Sequence, residues 1–189
     1  LMCTQLIRVV AVLLLTCPIT SFSIELNGAG RRVPAPLIAE WGAHYSAQEP
    51  GTTIKYQAIN TTEGVKQVEF GTVDFADTDM PLTKAELDKK GLAQFPYMLT
   101  AITPVINLPG VFDGQLSLNG KTLGDIFLGK IKKWNDPAIA ASNRNIKLPN
   151  QEILVVHRGA DGGGTFILSS YLAKVNPEWK SSVGVGVTL

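Results

Sequence analysis

Strand-like and helix-like patterns alternate along this chain. From Pro34 the stretch PAPLIAEWGAHYSAQEPG sets Leu37, Ile38, Trp41 and Tyr45 at helical spacing and stops at Pro50-Gly51, which predicts an amphipathic helix. TTIKYQAI, Thr52 to Ile59, is rich in β-branched residues and alternates, so it reads as a strand. Asn60, Thr61 and Thr62 are N-cap candidates ahead of Val65 and Val68, whose spacing suits a short helix ending at Gly71. VDFADTD reads as a short strand. Thr83 followed by Glu86 is a capping box for a helix that stops at Gly91. Farther on, MLTAITPVINLPG reads as one or two strands, KTLGDIFLGKI and PAIAASN as helices, EILVVHR as a buried strand and TFILSSYLAKV as a helix. Such alternation predicts an α/β fold with helices on a largely parallel sheet.

The first 23 residues differ from the rest: one base, Arg8, precedes an apolar run from Val9 to Leu15, then Pro18 and small residues up to Ser23. That pattern predicts a secretory signal cleaved near Ser23. A spanning anchor is the competing reading, but it needs roughly 20 apolar residues. Lipidation of Cys17 is a third, against which stands Thr16 where a small residue is preferred. Both cysteines, Cys3 and Cys17, lie in this leader, so the exported chain rests on packing without disulfides. Without Arg8 its bases and acids balance, which recommends neither nucleic acid nor an anionic membrane as partner. The ending SSVGVGVTL resembles the approach to another strand and offers no closing cap, so a fragment is expected.

Several motifs suggest chemistry and fail on spacing. GAGRRV has two glycines of a dinucleotide fingerprint but Val33 in place of the third, and GQLSLNGKT sets Gly114 one residue too far from Gly120-Lys121-Thr122 for a phosphate loop. His44 and His157 lack partners at metal-ligand spacing, and no serine sits in a nucleophile elbow. VVHRGADGGGTF is richer. If a strand ends at Val156 and a helix begins at Phe166, Gly162 to Thr165 form a helix entrance whose free amides can hold an oxyanion, with Thr165 adding a hydroxyl and Arg158 a two-pronged donor. A plain glycine-rich connection with a surface arginine accounts for the same residues. Thr61 and Thr62 lie at a second such entrance, and two entrances at strand ends would form a clamp.

LNGAG, EGVKQ, VDFADTDMPL, QFP, KTLGDIFLGKIKKWNDPAI and SSYLAKVNPEWK together resemble the periplasmic phosphate-binding proteins of bacterial phosphate ABC transporters, from about Leu26 to Leu189. The resemblance implies a two-lobed periplasmic solute-binding fold, incomplete here at the C-terminus: the signal over residues 1–23, part of a first α/β lobe over 24–98 and an unfinished second lobe over 99–189. It implies phosphate ligands at Thr61, Asp79, Arg158, Gly164 and Thr165, with Asp161 holding the arginine. An acid in an anion site selects by rejection, because phosphate near neutral pH keeps a proton to donate to Asp79 while sulfate has none.

Departures from the family pattern bear on affinity. Arg31, Arg32 and Val33 stand where the family has a small residue, a threonine and a phenylalanine, and Gly163 stands for a serine, so two hydroxyl contacts are lost. Each such bond to a charged ligand is worth about 1.5–3 kcal/mol. Arg32 would either compensate electrostatically or block the cleft. The reading is therefore a monomeric, exported, non-catalytic phosphate carrier that needs no cofactor or metal and hands its ligand to membrane permease subunits. Two alternatives accompany it: a secreted phosphatase on a related scaffold, with Thr61 or Thr165 as nucleophile, and a truncated remnant that does not bind.

Overall fold

The computed structural model describes residues 23–159 and 162–189. The expected leader, with Cys3 and Cys17, and the expected arginine partner Asp161 lie outside the described residues. No helix among those described is long and apolar enough to cross a membrane.

The N-terminal part is a three-stranded parallel sheet in the order β2-β1-β3. β1 (Ile24–Gly30) is central, β2 (Thr52–Ala58) pairs with it along its whole length, and β3 (Phe75–Ala76) pairs at Gly28 and Ala29. Two glycines allow this centre. A side chain at Gly28 would overlap the Phe75 ring, which stacks on Tyr56 with centroids 6.2 Å apart. At Gly30, where φ is +153°, a Cβ would meet the Asp77 carbonyl oxygen at 2.5 Å.

Helices connect the strands on the expected pattern. α1 (Ala35–Gln48) follows buried Pro34, whose fixed φ suits a helix start. Its inner face is Ile38 and Gly42, one turn apart, and the Ile54 side chain lies against Gly42. Trp41 and Tyr45, expected on that face, are about half exposed; Trp41 meets the ring of Tyr97 edge-on with centroids 6.0 Å apart. α2 (Thr61–Glu69) is capped by Asn60, the first of the three candidates, whose side chain accepts from Glu63 N at 2.9 Å. α3 (Lys84–Lys90) carries the predicted capping box between Thr83 and Glu86 and ends on left-handed Gly91.

The C-terminal part is built from helices. α4 (Gly120–Phe127), α5 (Pro137–Ala140), α6 (Gly163–Val175) and α7 (Pro177–Ser182) follow in order. Leu123, Leu172 and Trp179 form one buried cluster and Ile126, Ile131 and Ile139 another, with Leu118 packed against both. Asn176 ties three helices together: its amide donates to Asp125 Oδ1 at 2.9 Å, and its oxygen accepts from Glu178 N and Trp179 N.

Two expectations fail here. EILVVHR is extended but is not a buried strand: Leu154 and Val156 are 86% and 84% exposed, while Ile153 and Val155 pack on the isoleucine cluster. The alternation the sequence shows is real, yet among the described residues only one bridge, Lys133 with Glu152, pairs this stretch with neighbouring chain. A strand needs a ladder, and among the described residues none runs beside 154–158. MLTAITPVINLPG likewise forms no strand, and Leu99 and Val105 are almost fully exposed.

Gly64 seats α2 on the sheet, since a Cβ there would come 2.8 Å from Gly30 Cα and 3.0 Å from the Ala29 carbonyl oxygen. Backbone cannot step aside as a side-chain tip can, so Gly64→Ala is expected to destabilise the fold by about 1–3 kcal/mol, read as a lower urea midpoint. An unchanged midpoint would mean that α2 does not rest on β1.

Candidate functional site

β3 is followed directly by Asp77 and, two residues on, by Asp79, and both acids meet Arg31. Asp77 is buried, at 3% exposure, and Arg31 at the end of β1 clasps it. Arg31 Nε donates to Asp77 Oδ2 at 2.6 Å and Nη2 to Oδ1 at 2.9 Å, a two-pronged pair, and Nη1 reaches Asp79 Oδ2 at 3.3 Å. Tyr97 donates to Asp77 Oδ1 at 2.5 Å, and Tyr56 donates to the Arg31 carbonyl oxygen at 2.9 Å. Hydrogen bonding to Asp77 holds the Arg31 guanidinium well above its ordinary pKa despite partial burial. Burial first, then the charge of Asp77, pushes the Tyr56 phenol above the usual range. For Tyr97 burial again leads, followed by its hydrogen bond to Asp77.

Asp79 joins this cluster to both helix entrances. Thr61, 2% exposed at the first position of α2, donates its hydroxyl to Asp79 Oδ1 at 3.0 Å. The same oxygen lies against Gly163 at the start of α6, so close that a Cβ there would fall 1.3 Å from it. No side chain among the described residues caps the first turn of α6. Thr165 N and Phe166 N turn back to the Gly162 carbonyl, whereas the amides of Gly163 and Gly164 precede those bonds. Thr165 is buried, Gly164 faces the tip of Ile102, and the Arg158 guanidinium lies over Gly162. Gly162 is itself anchored, its N–H donating to the Val187 carbonyl at 3.0 Å.

Thr61, Asp79, Gly163, Gly164 and Thr165 are thus brought together, with exposed Arg158 beside them. The arginine that enters the cluster is Arg31 rather than Arg32: Arg32 is exposed and Val33 is 70% exposed. Sequence reasoning also missed Asp77, Tyr56 and Tyr97. A pair of acids, Asp77 and Asp79, directly after a strand was a usable signal; the tyrosines carried none, because a ring in an alternating strand and a ring after Pro96 read equally well as packing.

A model of the PBP superfamily domain matches residues 20–186. The chain belongs to the PBP superfamily. Within it, the chain is 45% identical over 167 residues to the phosphate-binding protein PstS of Xylella fastidiosa, covering 88% of this chain and 46% of that protein. It is 43% identical over 183 residues to PstS of Pasteurella multocida, covering 97% and 53%, and 34% identical over 175 residues to PstS of Methanocaldococcus jannaschii, covering 88% and 45%. The chain spans about half the length of these relatives. A crystal structure of an ABC-type phosphate transport receptor from Vibrio cholerae aligns with a TM-score of 0.46 at 22% identity, covering 74% of this chain and 51% of that one.

In this PBP-superfamily chain, Asp77 adds to burial in raising the pKa of the Tyr97 phenol, so replacing the acid by a neutral amide lowers that pKa. Phenolate absorbance titrations, with the Tyr97 share isolated by subtracting the curve of Tyr97→Phe, are expected to show an earlier midpoint in Asp77→Asn than in the wild type. An unmoved midpoint would break the link between Tyr97 and the acid cluster.

Proposed function

We propose that this chain binds inorganic phosphate outside the cytoplasm, as a periplasmic or secreted monomer, and passes it to membrane permease subunits of an ABC transporter. The observation that carries the reading is the position of the Asp79 carboxylate between the Thr61 hydroxyl and the bare backbone of Gly163. A tetrahedral anion at that point would meet the first-turn amides of α2 and α6, the hydroxyls of Thr61 and Thr165, and the guanidinium of Arg158. Asp79 would accept the proton that monohydrogen phosphate carries. In this reading the division into two lobes near Leu99 puts Thr61 and Asp79 in one and Arg158, Gly163, Gly164 and Thr165 in the other. Closure on the ligand then couples them. The names of the PstS relatives support the same ligand.

The site binds without chemistry. The phosphatase alternative would take Thr61 as nucleophile and Asp79 as its base, and their 3.0 Å bond meets the geometric requirement. Against it, Asp79 already accepts from Arg31 as well as from Thr61. Release of phosphate from a chromogenic monoester, lost in Thr61→Ala, would favour the enzyme.

Calorimetry on the full chain is expected to show heat with orthophosphate, and Asp79→Asn is expected to weaken that binding by about tenfold or more, the worth of one hydrogen bond to a charged group. No heat with the wild type, in a sample that melts cooperatively by circular dichroism, sinks the reading.

A further inference from the structure

We infer that Arg31 is a specificity-determining residue that softens the rejection of unprotonated oxyanions such as sulfate at the Asp79 site. This rests on the phosphate reading above. The rejection expected of Asp79 depends on a carboxylate that faces the ligand with an uncompensated charge and unfilled acceptor positions. Here the carboxylate is compensated. Arg31, only 14% exposed at its side chain, is locked by its two-pronged bond to Asp77, and the remaining arm, Nη1, is left to meet Asp79 Oδ2 at 3.3 Å. Thr61 fills a position on Oδ1. Both oxygens of Asp79 therefore have a donor from the protein itself, and an incoming anion need not supply one.

The lock matters as much as the charge. Asp77 receives donors from Arg31 and Tyr97, and Tyr56 holds the Arg31 main chain, so the guanidinium cannot swing out to pair with the ligand as a mobile surface arginine would. Its effect on anions is exerted through Asp79. That separates it from Arg158, which lies over Gly162 and would contact any bound anion directly. A small residue at position 31 would remove the compensation.

The test compares phosphate and sulfate binding by calorimetry on the full chain at fixed pH and ionic strength. Because Arg31→Ala alone leaves Asp77 buried and unpaired, the double variant Arg31→Ala with Asp77→Asn is measured beside it, and folding of each is checked by thermal melting. Removal of the guanidinium is expected to widen the phosphate-to-sulfate affinity ratio by about tenfold, chiefly through lost sulfate binding. Arg31→Lys, which keeps a charge, is expected to return most of the wild-type ratio. Parallel losses for both anions, or an unmoved ratio, overturn the inference and leave phosphate binding intact. So does a wild type that already rejects sulfate by about ten-thousandfold, as a site with an unmet polar group does. Wild-type protein that takes up neither anion overturns the phosphate reading and this inference together.

Discussion

The Asp79 carboxylate lies against Gly163 with a separation that no other residue type at 163 would permit, and through this contact two stretches of chain more than eighty residues apart share one site. Glycine contributes an absence, and the acid fills it. On one side Asp79 is held by Arg31, just past the end of β1, and by Thr61, the first residue of α2. On the other side it meets the mouth of α6, whose own footing is the C-terminal segment: Gly162 donates to Val187, and Ser169 exchanges hydrogen bonds with Gly186. A serine at 163 would compete with the acid for the same space.

Charge is distributed in this cluster with little excess. A buried acid such as Asp77 is costly unless paired and hydrogen-bonded, and breaking such a pair leaves several kcal/mol of uncompensated desolvation, about 3–5. Arg31 and Tyr97 supply four donors to its two oxygens: the Arg31 main-chain N–H, Nε and Nη2, and the Tyr97 hydroxyl. Tyr97 is braced in turn by the edge of Trp41 on α1, so an apolar contact between an outer helix and a loop fixes the geometry of an ionic one. Half-exposed Trp41, which looks misplaced on a helix surface, has this role.

The two halves of the described chain differ in how they are held. The N-terminal sheet has complete ladders between β1 and β2 and a close seat for α2 on glycines, while the C-terminal part depends on two small apolar clusters and on Asn176. Extended segments at 99–107 and 153–158 carry exposed Leu99, Val105, Leu154 and Val156. Their pattern is that of strands, and their hydrogen-bonding groups lack a neighbouring ladder among the described residues. This is the same chain that spans about half the length of its PstS relatives.

What the sequence determined by itself was local. Helix caps at Asn60 and Thr83, the stop at Gly91, the strands around Tyr56 and Phe75 and the two helix entrances at Thr61 and Thr165 all follow from propensity, period and capping chemistry within a few residues. The family resemblance added Asp79. Tertiary structure decided what no window of sequence contains: that Arg31 rather than Arg32 turns inward, that Asp77 is its anchor, and that Tyr97 and Trp41 brace the pair. It also decided that the apolar run gains no ladder at 154–156 among the described residues, because a strand is defined by its neighbour. Spacing along a chain fixes which face a residue occupies; which distant group meets that face depends on packing, where a missing Cβ or one carboxylate settles the outcome.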